Sequence, residues 1–165
     1  MKRRVLSMLV DNTSGVLSRV AGLFSRRGYN IDSLTVGETA DPRYSRMTVV
    51  VQGDELILDQ ITKQVAKLID VVDIKTLKDG ESVNRELILV KVRAEAENRQ
   101  DIAALVGMFR ANIVDVGVDS LTIEITGSQS KIEAFINLLK DYEILELART
   151  GITGLSRGAD DVRYL

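Results

Sequence analysis

The chain contains no cysteine and no histidine among its 165 residues. Those two absences exclude thiolate catalysis, imidazole acid–base chemistry, Ser-His-Asp triads and the usual zinc sites. Carboxylate and lysine chemistry stay open, but most Asp and Glu residues sit singly in polar stretches. A basic excess is missing too: 22 Lys and Arg face 24 Asp and Glu, for a net charge of −2. That balance carries no electrostatic footprint of a nucleic-acid binder. No apolar run approaches the roughly 18 residues needed to cross a bilayer. The opening MKRRVLSMLV places positive charge ahead of an apolar run, but Asp11 and Asn12 end that run too soon for a signal peptide. No Walker loop, dinucleotide fingerprint or metal-ligand spacing occurs. These readings favour a cytoplasmic binding or regulatory module over an enzyme, with neither nucleic acid nor membrane as partner.

What is present describes a globular protein: 45% of residues are hydrophobic and 28% charged. Residues 4–10 read as a strand, and 15–27 as a helix with Leu17, Val20, Ala21 and Phe24 at helical spacing. Gly28 suits the position just past that helix, where the backbone turns left-handed. Strands at 31–38 and 45–52 flank a turn holding the only proline, Pro42. Asp54 caps a second helix carrying Leu58, Ile61, Val65 and Leu68, and a strand follows at 71–77. The order β-α-β-β-α-β is the split pattern of ferredoxin-like domains.

The polar stretch KDGESVN, 78–84, reads as a linker, after which the pattern repeats. Strand 86–94, a helix near 99–110, strands near 112–117 and 120–126, helix 129–140 and strand 143–149 make a second copy. Its helices bury Ile102, Leu105, Val106 and Phe109, then Ile132, Phe135, Ile136 and Leu139. The expected class is therefore α+β, two tandem ferredoxin-like domains at 1–77 and 85–165. Each copy, at about 75 residues, is small for independent stability, so mutual packing or dimerisation is expected. In the first strand Leu6, Met8 and Val10 face one way and Val5, Ser7 and Leu9 the other. Since helices cover one face of such a sheet, the second apolar face calls for a cover, from another subunit or the second domain.

The segment DNTSG, 11–15, offers more caps than one helix start requires. One account is an N-cap followed by a glycine that relieves crowding. The other is a cradle in which first-turn amides and the bare backbone of Gly15 receive a small anion, while Asn12 meets a ligand's amine or carboxylate. At the far end of the helix stands Gly28-Tyr29-Asn30-Ile31, either a C-cap or a second ligand-contacting segment. Thirteen helical residues span roughly 20 Å, so the two ends cannot share a ligand within one chain. Antiparallel helices of two subunits would bring them together. The second copy keeps the pattern but answers RRGYNID with RANIVD and DNTSG with ENRQD, losing both glycines, which points to a ligand in the first half.

The stretch DNTSGVLSRVAGLFSRRGYNIDSL, with RELILVKV, FRANIVDV and ARTGITGLSRG later, resembles the regulatory small subunits of acetohydroxyacid (acetolactate) synthase. The resemblance covers essentially the whole chain. It implies that the first copy is an ACT domain and that the chain is non-catalytic. It also implies a homodimer through ACT domains and a catalytic large subunit carrying thiamine diphosphate, Mg²⁺ and FAD, with no cofactor on this chain. That partner would be activated by this chain and made sensitive to valine, in branched-chain amino acid synthesis. By the same resemblance Asn12, Ser14, Gly15 and Val16 map onto the effector loop, and Gly28, Asn30 and Ile31 onto the opposing segment. The second domain and its tail, 150–165, in which Arg157 and Arg163 lie, are expected to help engage or support the catalytic partner. A free-standing ACT-domain sensor acting on a transcription factor or another enzyme is the rival.

Overall fold

The structure, a computed structural model, describes residues 1–159. Arg163, singled out in the tail, lies outside them. The elements are β1 (Lys2–Asp11), α1 (Val16–Arg26), β2 (Ile31–Glu38), β3 (Tyr44–Gly53), α2 (Glu55–Ala66) and β4 (Val71–Leu77). A second series follows: β5 (Ser82–Arg93), α3 (Arg99–Met108), β6 (Asn112–Val116), β7 (Ser120–Gly127), α4 (Gln129–Leu139), β8 (Ile144–Arg149), and then β9 (Thr153–Ser156). The class is α+β with tandem βαββαβ units, in agreement with the periodicity.

In the first unit the sheet order is β2-β3-β1-β4, and each neighbouring pair is antiparallel. Leu6, Met8 and Val10 of β1 join Met47, Val49 and Val51 of β3 on the helix-covered face. Val20 and Phe24 of α1 and Leu58, Ile61 and Val65 of α2 close over them. In the second unit the order is β6-β7-β5-β8. Its core takes Ile88, Val90 and Val92 from β5, Ile123 from β7, Ile102 from α3 and Phe135 from α4. Glu86 is buried at the start of that core, where Arg149 of β8 pairs with it.

Three boundaries differ from the sequence reading. The presumed linker is shorter, because residues 78–81 form a turn and β5 already begins at Ser82. Gly80, at φ 80°, makes that turn, and the Ser82 hydroxyl closes it on the carbonyl of Lys78 at 2.7 Å. The strand β9, four residues without apolar alternation, had no signal to announce it. Its placement is the larger difference. The chain divides into Asn84–Gly151 and a unit that joins Met1–Val83 to the residues from Ile152 onward, where the sequence reading kept 85–165 together. Main-chain and side-chain bonds hold the returning segment: Arg157 N–H donates to Glu81 O at 2.8 Å, and Thr35 Oγ1 donates to Ile152 O at 3.1 Å.

That return also answers the question of the second sheet face. Ser7, Leu9, Thr48 and Val50, which point away from α1 and α2, are each no more than 3% exposed. The unit's own C-terminal segment supplies part of the cover, bonding to Thr35 and Lys75 on that face. Within the helix-covered core, Phe24 is 1% exposed and meets the edge of the Tyr29 ring at 6.4 Å. Phe24→Ala is expected to destabilise the first unit by about 3–5 kcal/mol, read as a lowered urea midpoint for its unfolding.

Candidate functional site

The start of α1 is built without a side-chain cap, although four residues ahead of it have suitable chemistry. The N-cap position is Gly15, at φ 85° and ψ −8°, and no side chain accepts from the first-turn amides. Two other helices cap conventionally, with the Asp54 carboxylate accepting from Ile57 N–H at 2.8 Å and the Ser128 hydroxyl from Lys131 N–H, whereas α3 resembles α1 in having no side-chain cap. The expectation that one residue of DNTSG caps the helix is therefore corrected. Asn12 is engaged elsewhere, its Nδ2 donating to Pro42 O at 2.9 Å and to Glu38 Oε2 at 3.2 Å. Asn12 N–H donates to Arg43 O and Asp11 N–H to Asp70 O. The loop is thus tied to the β2–β3 hairpin on one side and to the α2–β4 turn on the other. Its amides at the helix start stay open, with the positive end of the helix dipole behind them.

Gly15 is required by its backbone, and a side chain there would also displace Arg19. Its left-handed backbone disfavours any side chain. A Cβ there would also stand 2.8 Å from Nη1 of Arg19, one turn along the helix. Arg19 crosses over the glycine to reach Asp70, with Nε to Oδ2 at 2.6 Å and Nη2 to Oδ1 at 3.1 Å. The bidentate bond from Arg19 holds the Asp70 carboxyl below its ordinary value, and Arg19 is correspondingly raised. A cation near a helix N-terminus is unfavourable by itself, and the Asp70 carboxylate offsets it. Neither Arg19 nor Asp70 was legible as part of the site, because their pairing spans 51 positions. Only the four-residue step from Gly15 to Arg19 hinted that the guanidinium would lie over the loop.

Asn12, Ser14 and Gly15 are exposed and adjacent, while Val16 is buried as the first residue of the apolar stripe. Gly28, Asn30 and Ile31 lie at the opposite end of α1, whose 11 residues separate the two groups by roughly 16 Å. Within one chain the structure does not bring them together. Asn30 is exposed and donates to Asp32 at 2.8 Å.

The second unit clarifies what its missing glycines mean. Arg110 takes φ 54° past α3, as Gly28 takes 68° past α1. The amides that follow make equivalent bonds, Ala111 to Val106 O and Tyr29 to Phe24 O. Gly28 is therefore accounted for by helix termination, and its loss from the second copy no longer argues for a ligand. The other end differs in kind. Before α3, Asn98 has φ −117°, and the Arg99 guanidinium binds three carbonyls, of Ala94, Gly117 and Val118, at 2.7–2.9 Å. The first turn of α3 also lacks a side-chain cap, and the loop before it is tied down by the chain's own cation.

These features define a tandem α+β protein whose first unit is an ACT domain. A family description, AHAS small subunit-like ACT domain, matches residues 6–73, and another, small subunit of acetolactate synthase, matches 85–158. The acetolactate synthase small subunit of Mycobacterium bovis is 50% identical over 157 residues, covering 95% of this chain and 94% of that protein. The isozyme 3 small subunit of Escherichia coli is 48% identical over 157 residues, covering 94% and 96%. The crystal structure of the acetolactate synthase small subunit from Thermotoga maritima superposes with a TM-score of 0.89 at 45% identity, covering 96% and 99%. The chain belongs to the acetolactate synthase small-subunit family. Among the described residues no helix is long and apolar enough to cross a membrane, and no three Asp or Glu residues gather as a metal site.

Two outcomes test this geometry. Gly15→Ala should destabilise by about 1–2 kcal/mol from the left-handed backbone. Chemical denaturation should show part of any further cost vanish in an Arg19→Ala background, by roughly 0.5 kcal/mol or more. Asp70→Asn should lower stability at neutral pH. Because the folded Asp70 carboxyl lies below its ordinary value, its contribution is complete above the ordinary carboxylate range and is lost as pH falls through the depressed value. The gap between wild type and Asp70→Asn should therefore close in acid, as followed by denaturation at a series of pH values.

Proposed function

We propose that this chain is the non-catalytic subunit that activates the acetohydroxyacid synthase large subunit and makes it sensitive to valine. The observation that carries the reading is the open, uncapped start of α1 at Gly15. A valine carboxylate suits the free amides of that turn. Its ammonium suits Asn12 Oδ1, the acceptor left over once Nδ2 is committed to Pro42 and Glu38. Full burial of the isopropyl group would contribute about 1.5–3 kcal/mol. Leucine and isoleucine differ from valine by one methylene, worth roughly 1–3 kcal/mol in an apolar pocket.

The separation of the two mapped segments along α1 supports a site shared by two chains. Asn12, Ser14, Gly15 and Val16 of one copy would meet Gly28, Asn30 and Ile31 of a second, in a homodimer through the ACT domains. Feedback then follows from linkage: valine lowers activity only if it binds the less active state of the assembly more tightly. The thiamine diphosphate, Mg²⁺ and FAD of the reaction belong to the large subunit in this reading, and the cell compartment is the cytoplasm.

Reconstitution with the large subunit tests the assignment. Asn12→Ala or Gly15→Asp should abolish valine inhibition and leave activation largely intact. Gly15→Asp would place a carboxylate where the ligand's own is received. Normal inhibition in either variant would overturn the site.

A further inference from the structure

The C-terminal segment crosses the first unit's sheet at right angles to its strands. Thr35, Thr48, Ser7 and Lys75 stand in register across β2, β3, β1 and β4, all on the face opposite the helices. At one end of this row Thr35 Oγ1 donates to Ile152 O, and at the other Lys75 Nζ donates to Ser156 Oγ, each at 3.1 Å. Four residues of extended chain reach about 13 Å, and three gaps between strands measure about 14 Å. The segment therefore spans the sheet from edge to edge in a single pass. Gly154, in the middle, is buried, which permits close approach of its backbone to the face beneath.

The segment is also held by pairing of β9 with β5, but its contact with the ACT sheet is partly unsatisfied. Of the outward side chains, Leu155 is 58% exposed, and Ile152 at 6% is the one large apolar anchor. On the covered face the hydroxyls of Thr48 and Ser33 are buried with no hydrogen-bond partner. Ser7 Oγ there is already accepting from Arg46 Nη1 at 2.9 Å. A cover laid over orphaned hydroxyls carries their desolvation cost only while it is in place, since water satisfies them when it lifts. That cost weakens the hold of the segment on the sheet face. The segment's first anchor is on β2, the strand that begins at Ile31 and has Thr35 four residues on.

We propose that residues 152–157 form a detachable strap on the ACT sheet, and that effector binding favours its docked state through β2. The inference rests on the effector site assigned above, half of which, Asn30 and Ile31, leads directly into the strand that holds the strap. Ligand that orders this strand fixes Thr35, and the strap in turn favours the liganded arrangement by the same factor.

Hydrogen exchange of the full-length chain, with and without L-valine, tests the coupling. Valine should slow exchange of the 153–157 amides by about 5-fold or more. Thr35→Val keeps the shape and removes the donor, so it should speed that exchange and weaken valine binding by a comparable factor in calorimetry. Thr35→Ser should restore both. Lys75→Met should also free the strap, acting from β4. Valine bound with unchanged exchange at 153–157 would overturn the inference. So would Thr35→Val that releases the strap and still binds valine as the wild type does. A wild-type chain that takes up no valine would overturn the effector assignment itself, and the coupling with it.

Discussion

A four-stranded sheet has two faces, and two helices can cover only one. Much of this molecule follows from how the other is handled. The alternation in β1 is apolar on both sides, with Leu6, Met8 and Val10 under the helices and Leu9 opposite them. The uncovered face also carries Ser7, Thr48 and Lys75, which need hydrogen-bond partners as well as shielding. A short strand with a mid-point glycine meets part of that demand: Lys75 donates to it, Ser7 accepts from Arg46 instead, and the Thr48 hydroxyl stays without a partner. It brings backbone polar groups to a polar row and lies flat across four strands.

This explains what was legible in the sequence. The helices and long strands could be read because their periodicity records burial on a single continuous face, as at Leu58, Ile61 and Val65 or at Ile132, Phe135 and Leu139. The apolar outer face of β1 correctly announced that something covers it. Nothing announced what, because β9 has four residues and buries mainly Gly154, leaving no pattern to detect. The turn at Lys78–Glu81 likewise looked like a linker, since polar residues and Gly80 serve either purpose.

At the candidate loop the reading changes in each half: DNTSG supplies no side-chain cap to α1, and Gly28 is a helix stop that Arg110 reproduces without glycine. The physical content lies in long-range partners. Asn12 is aimed by Pro42 and Glu38, and Arg19 by Asp70, none of which local spacing encodes. The second unit shows the alternative solution, with Arg99 bound to three carbonyls at the corresponding place. The two helix starts therefore share the lack of a side-chain cap and differ in backbone and in what ties the loop: Gly15 in the left-handed region with Arg19 on Asp70, against Asn98 with Arg99 on three carbonyls.

The return of the chain to its first unit has a consequence for biosynthesis. The unit made first on the ribosome is completed last, because Ile152 and Ser156 emerge only after the intervening Asn84–Gly151. At roughly 5–20 residues per second, those 68 residues impose a delay of about 3–14 s. During that interval the second unit can fold as a block while the outer face of the first sheet, Leu9 and Val50 included, stands open to the cell.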